Sequence, residues 1–228
     1  MKIENLKVYD LADSIVASAY PMSTDLGDIE IRVSALRDYL RQPSFICTVK
    51  HGYLYKVETE ELKQAIKDVR RAIKLCNTPI GSGHNNMLIG IRVAFDLTFT
   101  NKAWVEFQRY HFQDIISSQS TMHKITKLDI KKQCNEYVWD STIDKLTEKC
   151  KIYNDLEDKG SEEAKELYLE ILYNIPSGFQ LTARVTTNYS QIRTMVEQRH
   201  NHRLPEWREF CNYMINNLPL FKELCLKV

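Results

Sequence analysis

Between Thr59 and Cys76 the run TEELKQAIKDVRRAIKLC sets Leu62, Ile66, Val69 and Ile73 at helical spacing, with Glu60 and Glu61 near its start, where a helix favours negative charge. An amphipathic helix is predicted. The stretch NTPIGSGHNNM that follows has no period, and then 89-IGIRVAFDLTF-99 alternates, placing Ile89, Ile91, Val93, Phe95, Leu97 and Phe99 on one face of a strand. Helical spacing returns at Asn101, a candidate N-cap, and carries Trp104, Phe107 and His111 along one stripe. If that helix ends near Asp114, Arg109 and His111 leave its last turn, where cations are favoured, and point toward a loop holding Ser117, Ser118, Gln119 and Ser120.

Further along, the charged stretch from Lys127 to Glu157 reads as one or two helices, and 155-DLEDKGSEEAKELYLEILYNIP-176 as a loop and a helix closed by Pro176. A second alternating segment, 179-FQLTARVTTN-188, is the other strand. A helix through Arg199, a turn at 200-HNHRLP-205 and a last helix follow, with Pro205 in the last helix's first turn and Trp207, Phe210, Met214 and Leu218 facing inward. Helices and separated strands do not alternate in the short units of a doubly wound sheet, so the class is α+β. Without a repeat, low-complexity tract or linker, residues 1–228 are expected to form one domain.

Composition narrows the function classes. The chain has 228 residues, 43% of them hydrophobic and 10% aromatic, enough for a substantial core. Thirty-one basic against thirty acidic side chains leave a net charge of +1, so nothing global recommends a nucleic-acid or membrane-surface partner. Neither a signal-peptide core nor an apolar run of spanning length is present, and a cytoplasmic protein is expected. Six cysteines, at 47, 76, 134, 150, 211 and 225, make no C-x-x-C pair and read as reduced, mostly buried thiols.

Three clusters carry candidate chemistry. The loop 81-GSGHNN-86 lacks the lysine of a P-loop and the third glycine of a dinucleotide fingerprint. A glycine turn is its plainer reading, with His84 either a structural histidine or a ligand contact at the mouth of the strand. His200 and His202 have metal-compatible chemistry, but Arg199, Arg203 and Arg208 would repel a cation and no third ligand is near, so no metal is expected. Arg193, Arg199 and Arg203 read better as an anion site, with a solvated basic face as the alternative.

In their order along the chain, 81-GSGH-84 before a strand, 109-RYHFQDIISSQSTMH-123 after a helix, and 175-IPSGFQLTARVTTNYSQIRTMVEQRHNHRLPEWREF-210 resemble the flavin-dependent thymidylate synthases. That family carries a histidine at the entry to a long strand, then R-H-R-x-x-S-x-N-x-x-S-x-R, then a strand, a helix and an arginine. The last block matches best, its Ile-Pro start, Asn188 and Arg199 falling at the family's spacing. The resemblance implies a central, mainly antiparallel sheet packed with helices in a single domain. It gives Arg199 the task of holding and polarising the pyrimidine ring of dUMP, and places Ser120, with Gln119 and Arg203, in the nucleotide site. His84, Arg109, His111 and Asn188 would line the flavin pocket.

The chain departs from this pattern where arginines belong. Register through Ser120 puts Tyr110, His111 and Phe112 on R-H-R, while keeping Arg109 there takes a one-residue insertion. Met122 follows the motif serine, Leu172 stands ahead of the second strand, and Ser190 and Thr194 replace an arginine and an asparagine. Such changes remove natural partners of phosphate. Two functions follow from the resemblance. One is flavin-dependent C5 methylation or hydroxymethylation of a dUMP-like nucleotide, with FAD carrying hydride, and NADPH and methylenetetrahydrofolate as co-substrates. The other is a degenerate member that binds a nucleotide or another anion without turnover. A purely structural or partner-binding protein is the third reading. The resemblance also implies a homotetramer with active sites shared between subunits.

Overall fold

The computed structural model describes residues 1–42, 45, 59–79 and 81–226. Its centre is a four-stranded sheet of β1 (Lys2–Tyr9), β2 (Arg92–Thr100), β3 (Asp114–Ser118) and β4 (Gln180–Asn188), ordered β1-β2-β4-β3 with every pairing antiparallel. The β2–β4 pair runs unbroken from Arg92 opposite Asn188 to Thr100 opposite Gln180. Alternation explains it: Val93, Phe95, Leu97 and Phe99 are buried on one face, against Ala183 and Val185 of β4 among others. The other face is polar, and cross-strand partners meet there directly. Arg184 pairs with Asp96 at 3.0 Å, and the Thr98 and Thr182 hydroxyls lie 2.7 Å apart.

Helices cover the apolar face. The named elements are α1 (Leu11–Ala17), α2 (Ile29–Leu40), α3 (Glu60–Cys76), the short α4 (Met87–Gly90) and α5 (Asn101–Phe107). After β3 come the short α6 (Thr121–Lys124) and α7 (Ile130–Gln133), then α8 (Asp140–Asp155) and α9 (Glu162–Tyr173). Following β4 are α10 (Tyr189–Arg199), α11 (Pro205–Asn217) and α12 (Phe221–Cys225). Thr59 caps α3 by accepting from Leu62 N, and Trp207, Phe210, Met214 and Leu218 are all buried, as their spacing implies. The core centres on aromatic rings from three elements, β2, α5 and α11. Phe99 meets Trp207 at 5.2 Å between centroids, Trp104 meets Phe107 at 5.3 Å, and Phe210 closes on Trp207 at 5.6 Å. Edge-on contacts of this kind add about 0.5–1.5 kcal/mol each beyond the area buried. A second apolar cluster joins α8 and α9 through Ile143, Leu146, Cys150 and Ile171, with Phe179 beneath.

Three expectations are corrected. Ile89 belongs to the short α4 and is half exposed, so β2 begins only at Arg92. The helix from Asn101 stops at Phe107, and 114–118 is the edge strand β3 rather than a serine loop. Strand β1 has no counterpart in the sequence reading. Its register slips between Glu4 and Lys7, where Asn5 takes φ 50°, and that bulge breaks the period-two pattern that would betray a strand. The cysteines at 76, 134, 150, 211 and 225 are free thiols, four of them buried; Cys47 lies outside the described residues.

Candidate nucleotide site

Asn188 ends β4 and starts α10, its side-chain oxygen accepting from Gln191 N at 2.9 Å. Helix α10 buries Tyr189, Ile192, Met195 and Val196 and carries Arg199 in its last turn. Opposite it, the chain leaving α5 makes a tight turn through 108–113. Side chains of β4 and α10 fix that turn: Thr187 Oγ1 donates to Phe112 O at 2.8 Å, and Phe112 N donates to Gln191 Oε1 at 3.1 Å. Each such bond contributes about 1 kcal/mol net, and here they hold a turn that has no ladder of its own.

Between the turn and α10 lies a cleft of about 400 Å³, lined on one side by Arg109, Tyr110, His111 and Phe112 and on the other by Ser190, Thr194, Gln198 and Arg199. Arg199 forms its floor. The guanidinium lies over the Trp207 ring at 5.2 Å and the Tyr110 ring at 5.9 Å. Its Nε donates to Tyr110 Oη at 3.0 Å and its Nη1 to Glu106 Oε2 at 3.0 Å, and Tyr110 Oη passes its own hydrogen to Gln198 Oε1 at 3.1 Å. The Arg199–Glu106 pair is largely buried, with side chains 17% and 19% exposed. Beneath it, burial pushes the Cys211 thiol up to about 12, against the opposing pull of the Arg199 charge. The rim differs. Arg109 and His111 are exposed, and neither side chain hydrogen-bonds another group among the described residues.

Of the residues singled out from sequence, the structure brings Arg109, His111 and Arg199 to this cleft, together with Ser190 and Thr194. The others lie elsewhere. Gln119 extends the β3–β4 pairing, its backbone N bonding Thr182 O and its Oε1 taking Thr182 N, both at 2.9 Å. Ser120 stands at the N-cap position of α6 without capping it, off the cleft. His84 is exposed in the turn before α4, and Asn188 is buried under α10 as its cap. The expected convergence of Arg193, Arg199 and Arg203 on one anion is not observed. Arg193 is buried and pairs with Glu197 at 3.0 Å, Arg199 is committed to Glu106, and Arg203 is exposed outside the cleft. Met122 is exposed, its carbonyl accepting from Tyr168 Oη at 3.1 Å, and Leu172 packs on the α8–α9 cluster.

Sequence reasoning missed Glu106 and Gln198, and took Tyr110 only as standing in place of a motif arginine. Glu106 and Arg199 are 93 positions apart, so no local spacing signals their pairing.

No family model matches the sequence, and no curated protein matches it. Solved structures do. A crystal structure of the flavin-dependent thymidylate synthase ThyX from Helicobacter pylori complexed with FAD and dUMP superposes with a TM-score of 0.59 at 13% identity, covering 100% of both chains. The chain has the fold of a flavin-dependent thymidylate synthase. A second crystal structure of ThyX from Helicobacter pylori, also with FAD and dUMP, gives a TM-score of 0.53 at 13% identity over 70% of this chain and 82% of that one. The α+β class and the antiparallel sheet implied by the resemblance are those of the structure. Among the described residues, no helix is long and apolar enough to cross a membrane.

Proposed function

We propose that this chain is a divergent flavin-dependent thymidylate synthase-like protein whose cleft takes a pyrimidine nucleotide of the dUMP class. One juxtaposition supports this most: on a fold shared with ThyX, a cleft has a guanidinium seated on aromatic rings at its floor and a second, unpaired guanidinium at its rim. The rim fork of Arg109 suits a phosphate. A uracil-type ring offers carbonyl acceptors and one N–H donor. Arg199 and the free amide hydrogens of Gln198 suit the carbonyls, and the Ser190 hydroxyl can serve either. A fixed cation at a ring carbonyl stabilises the negative charge that grows there when C5 is substituted.

FAD asks for more than these residues give. A dinucleotide brings two linked phosphates, whereas Arg109 is the one unpaired guanidinium lining the cleft among the described residues. Thr194 Oγ1 is spent on Ser190 O, Gln191 Oε1 on Phe112 N, and Asn188 is enclosed. The residues of one protomer therefore do not fit FAD. C5 methylation or hydroxymethylation, with a folate carbon and NADPH as reductant, would need donors from a second copy in a homo-oligomer. A second reading, a nucleotide or anion held without turnover, is favoured by the Glu106 carboxylate, which neutralises Arg199 where catalysis needs its charge.

Gel filtration with FAD, with and without dUMP, followed by a visible spectrum, separates the two. A flavin band that travels with the protein supports the enzyme reading; saturable dUMP binding by a colourless protein supports the second. Failure to bind dUMP at all contradicts the proposal.

A further inference from the structure

Arg199 shows one edge to the cleft and gives the other to the protein interior. On the interior side, Glu106 Oε2 is a shared acceptor, 3.0 Å from Arg199 Nη1 and 3.2 Å from His202 Nε2. The two nitrogens are themselves only 2.8 Å apart. His202 Nδ1 accepts from Leu204 N at 3.2 Å, so in the neutral ring the hydrogen sits on Nε2 and points at the carboxylate. Two donors thus converge on one oxygen. Take that oxygen's charge away and the guanidinium and the imidazole face each other donor to donor.

The described groups paired with or packed on the guanidinium come from several elements. Helix α5 offers Glu106, the 108–113 turn Tyr110, α10 Gln198 through Tyr110, the following turn His202, and α11 the Trp207 ring with Cys211 below. Among these described residues Glu106 is the sole carboxylate. An anion entering the cleft therefore meets the unopposed charge of Arg109 at the rim, but at the floor it meets a cation already paired.

We propose that Glu106 is a positioning residue that sets how much of Arg199 the cleft presents and which end of a ligand can reach it. The carboxylate competes with any incoming anion for the guanidinium. It leaves Arg199 fit for a neutral acceptor, such as a ring carbonyl, and directs the charged end of the ligand to Arg109. This rests on reading the cleft as a nucleotide site, and it adds a discrimination that reading does not contain: the bound orientation is set by a counter-ion within the same chain.

The test uses Glu106→Gln in the full chain, with Glu106→Asp as a conservative second variant and thermal melting to check folding. Phenylglyoxal modification of Arg199, followed by peptide mass analysis, reports the guanidinium's availability without any nucleotide. Labelling is expected to rise by about tenfold in Glu106→Gln, the scale of losing one charge-assisted bond, and to fall back toward the parent rate in Glu106→Asp. In parallel, dUMP should gain affinity in Glu106→Gln while deoxyuridine, which lacks the phosphate, gains little. Arg199 labelling that matches the parent protein in a folded Glu106→Gln overturns the proposal. Labelling that rises while no form binds dUMP keeps the positioning role and removes the nucleotide reading instead. Equal gains for dUMP and deoxyuridine overturn the orientation that Glu106 is said to impose.

Discussion

The floor and the rim of the cleft are built in opposite ways. At the floor, Arg199 is largely buried, stacked on Trp207 and tied to Glu106 and Tyr110, partners 93 and 89 positions away. At the rim, Arg109 and His111 stand in water on a turn whose shape depends on two side-chain bonds from β4 and α10. The difference teaches where each part of recognition resides. A floor fixed by packing orients a ring at little entropic cost, while a rim cation free to move can gather a phosphate but specifies little.

Mutations that enter the floor should therefore cost stability, and those confined to the rim should cost binding alone. The largest effect is expected for Trp207→Ala. It removes a fully buried ring that touches Phe99, Phe107, Phe210 and Arg199, and should destabilise by about 3–5 kcal/mol in denaturant unfolding. A loss below about 1 kcal/mol would mean that the aromatic cluster is not what holds the floor. Arg199→Ala comes next. It leaves the mostly buried Glu106 without its strongest partner and should cost about 1–3 kcal/mol of stability as well as nucleotide affinity. Unchanged melting with lost binding would place Arg199 among the rim-type residues.

Gln191→Ala sharpens the boundary between the regions. It frees Phe112 N and should cost about 1 kcal/mol, with faster amide exchange confined to 110–113. Alkaline pH probes the buried thiols, of which Cys211 lies next to Arg199. Burial raises the thiols of Cys76 and Cys150 to about 11 and that of Cys211 to about 12, from an ordinary value of 9.0. Between pH 9 and those values the folded chain keeps protons that the unfolded chain releases, so stability is intact below pH 9 and falls as pH rises through the window. Melting temperatures taken from pH 8 to 10.5 should decline, and Cys211→Ser should flatten the slope. The smallest effect is expected at Ser120, which the resemblance places in the nucleotide site and the fold places off this cleft. Ser120→Ala should leave dUMP binding within about twofold unless a neighbouring copy brings that serine to the ligand.

How much of this was legible in the sequence follows the same division. Helices α3 and α11 and strand β4 were plain because their buried residues keep one period from end to end, whereas the cap expected at Asn101 is Thr100, whose hydroxyl accepts from Ala103 N. Strand β3 was not, because all five of its residues are exposed and its isoleucines carry no core signal. The helix end at Phe107 was overrun because His111 falls four places on, continuing a helical spacing that the backbone has abandoned, and there it stands exposed in the turn. Arg199 was found through its place after Asn188, yet its partner could not be. Helices α5 and α10 leave opposite ends of the antiparallel β2–β4 pair and meet through their last turns, at Glu106 and Arg199, and no pattern along the chain records that.

The central claim is that the cleft holds a pyrimidine nucleotide with its phosphate at the rim. Calorimetric titration of dUMP into the parent protein and into Arg109→Ala tests it most directly, since Arg109 takes no part in the core. The account predicts saturable one-to-one binding that weakens by about tenfold or more in the variant, whose melting temperature should not change. Equal affinity in the two proteins, or no heat from either at millimolar dUMP, would contradict it.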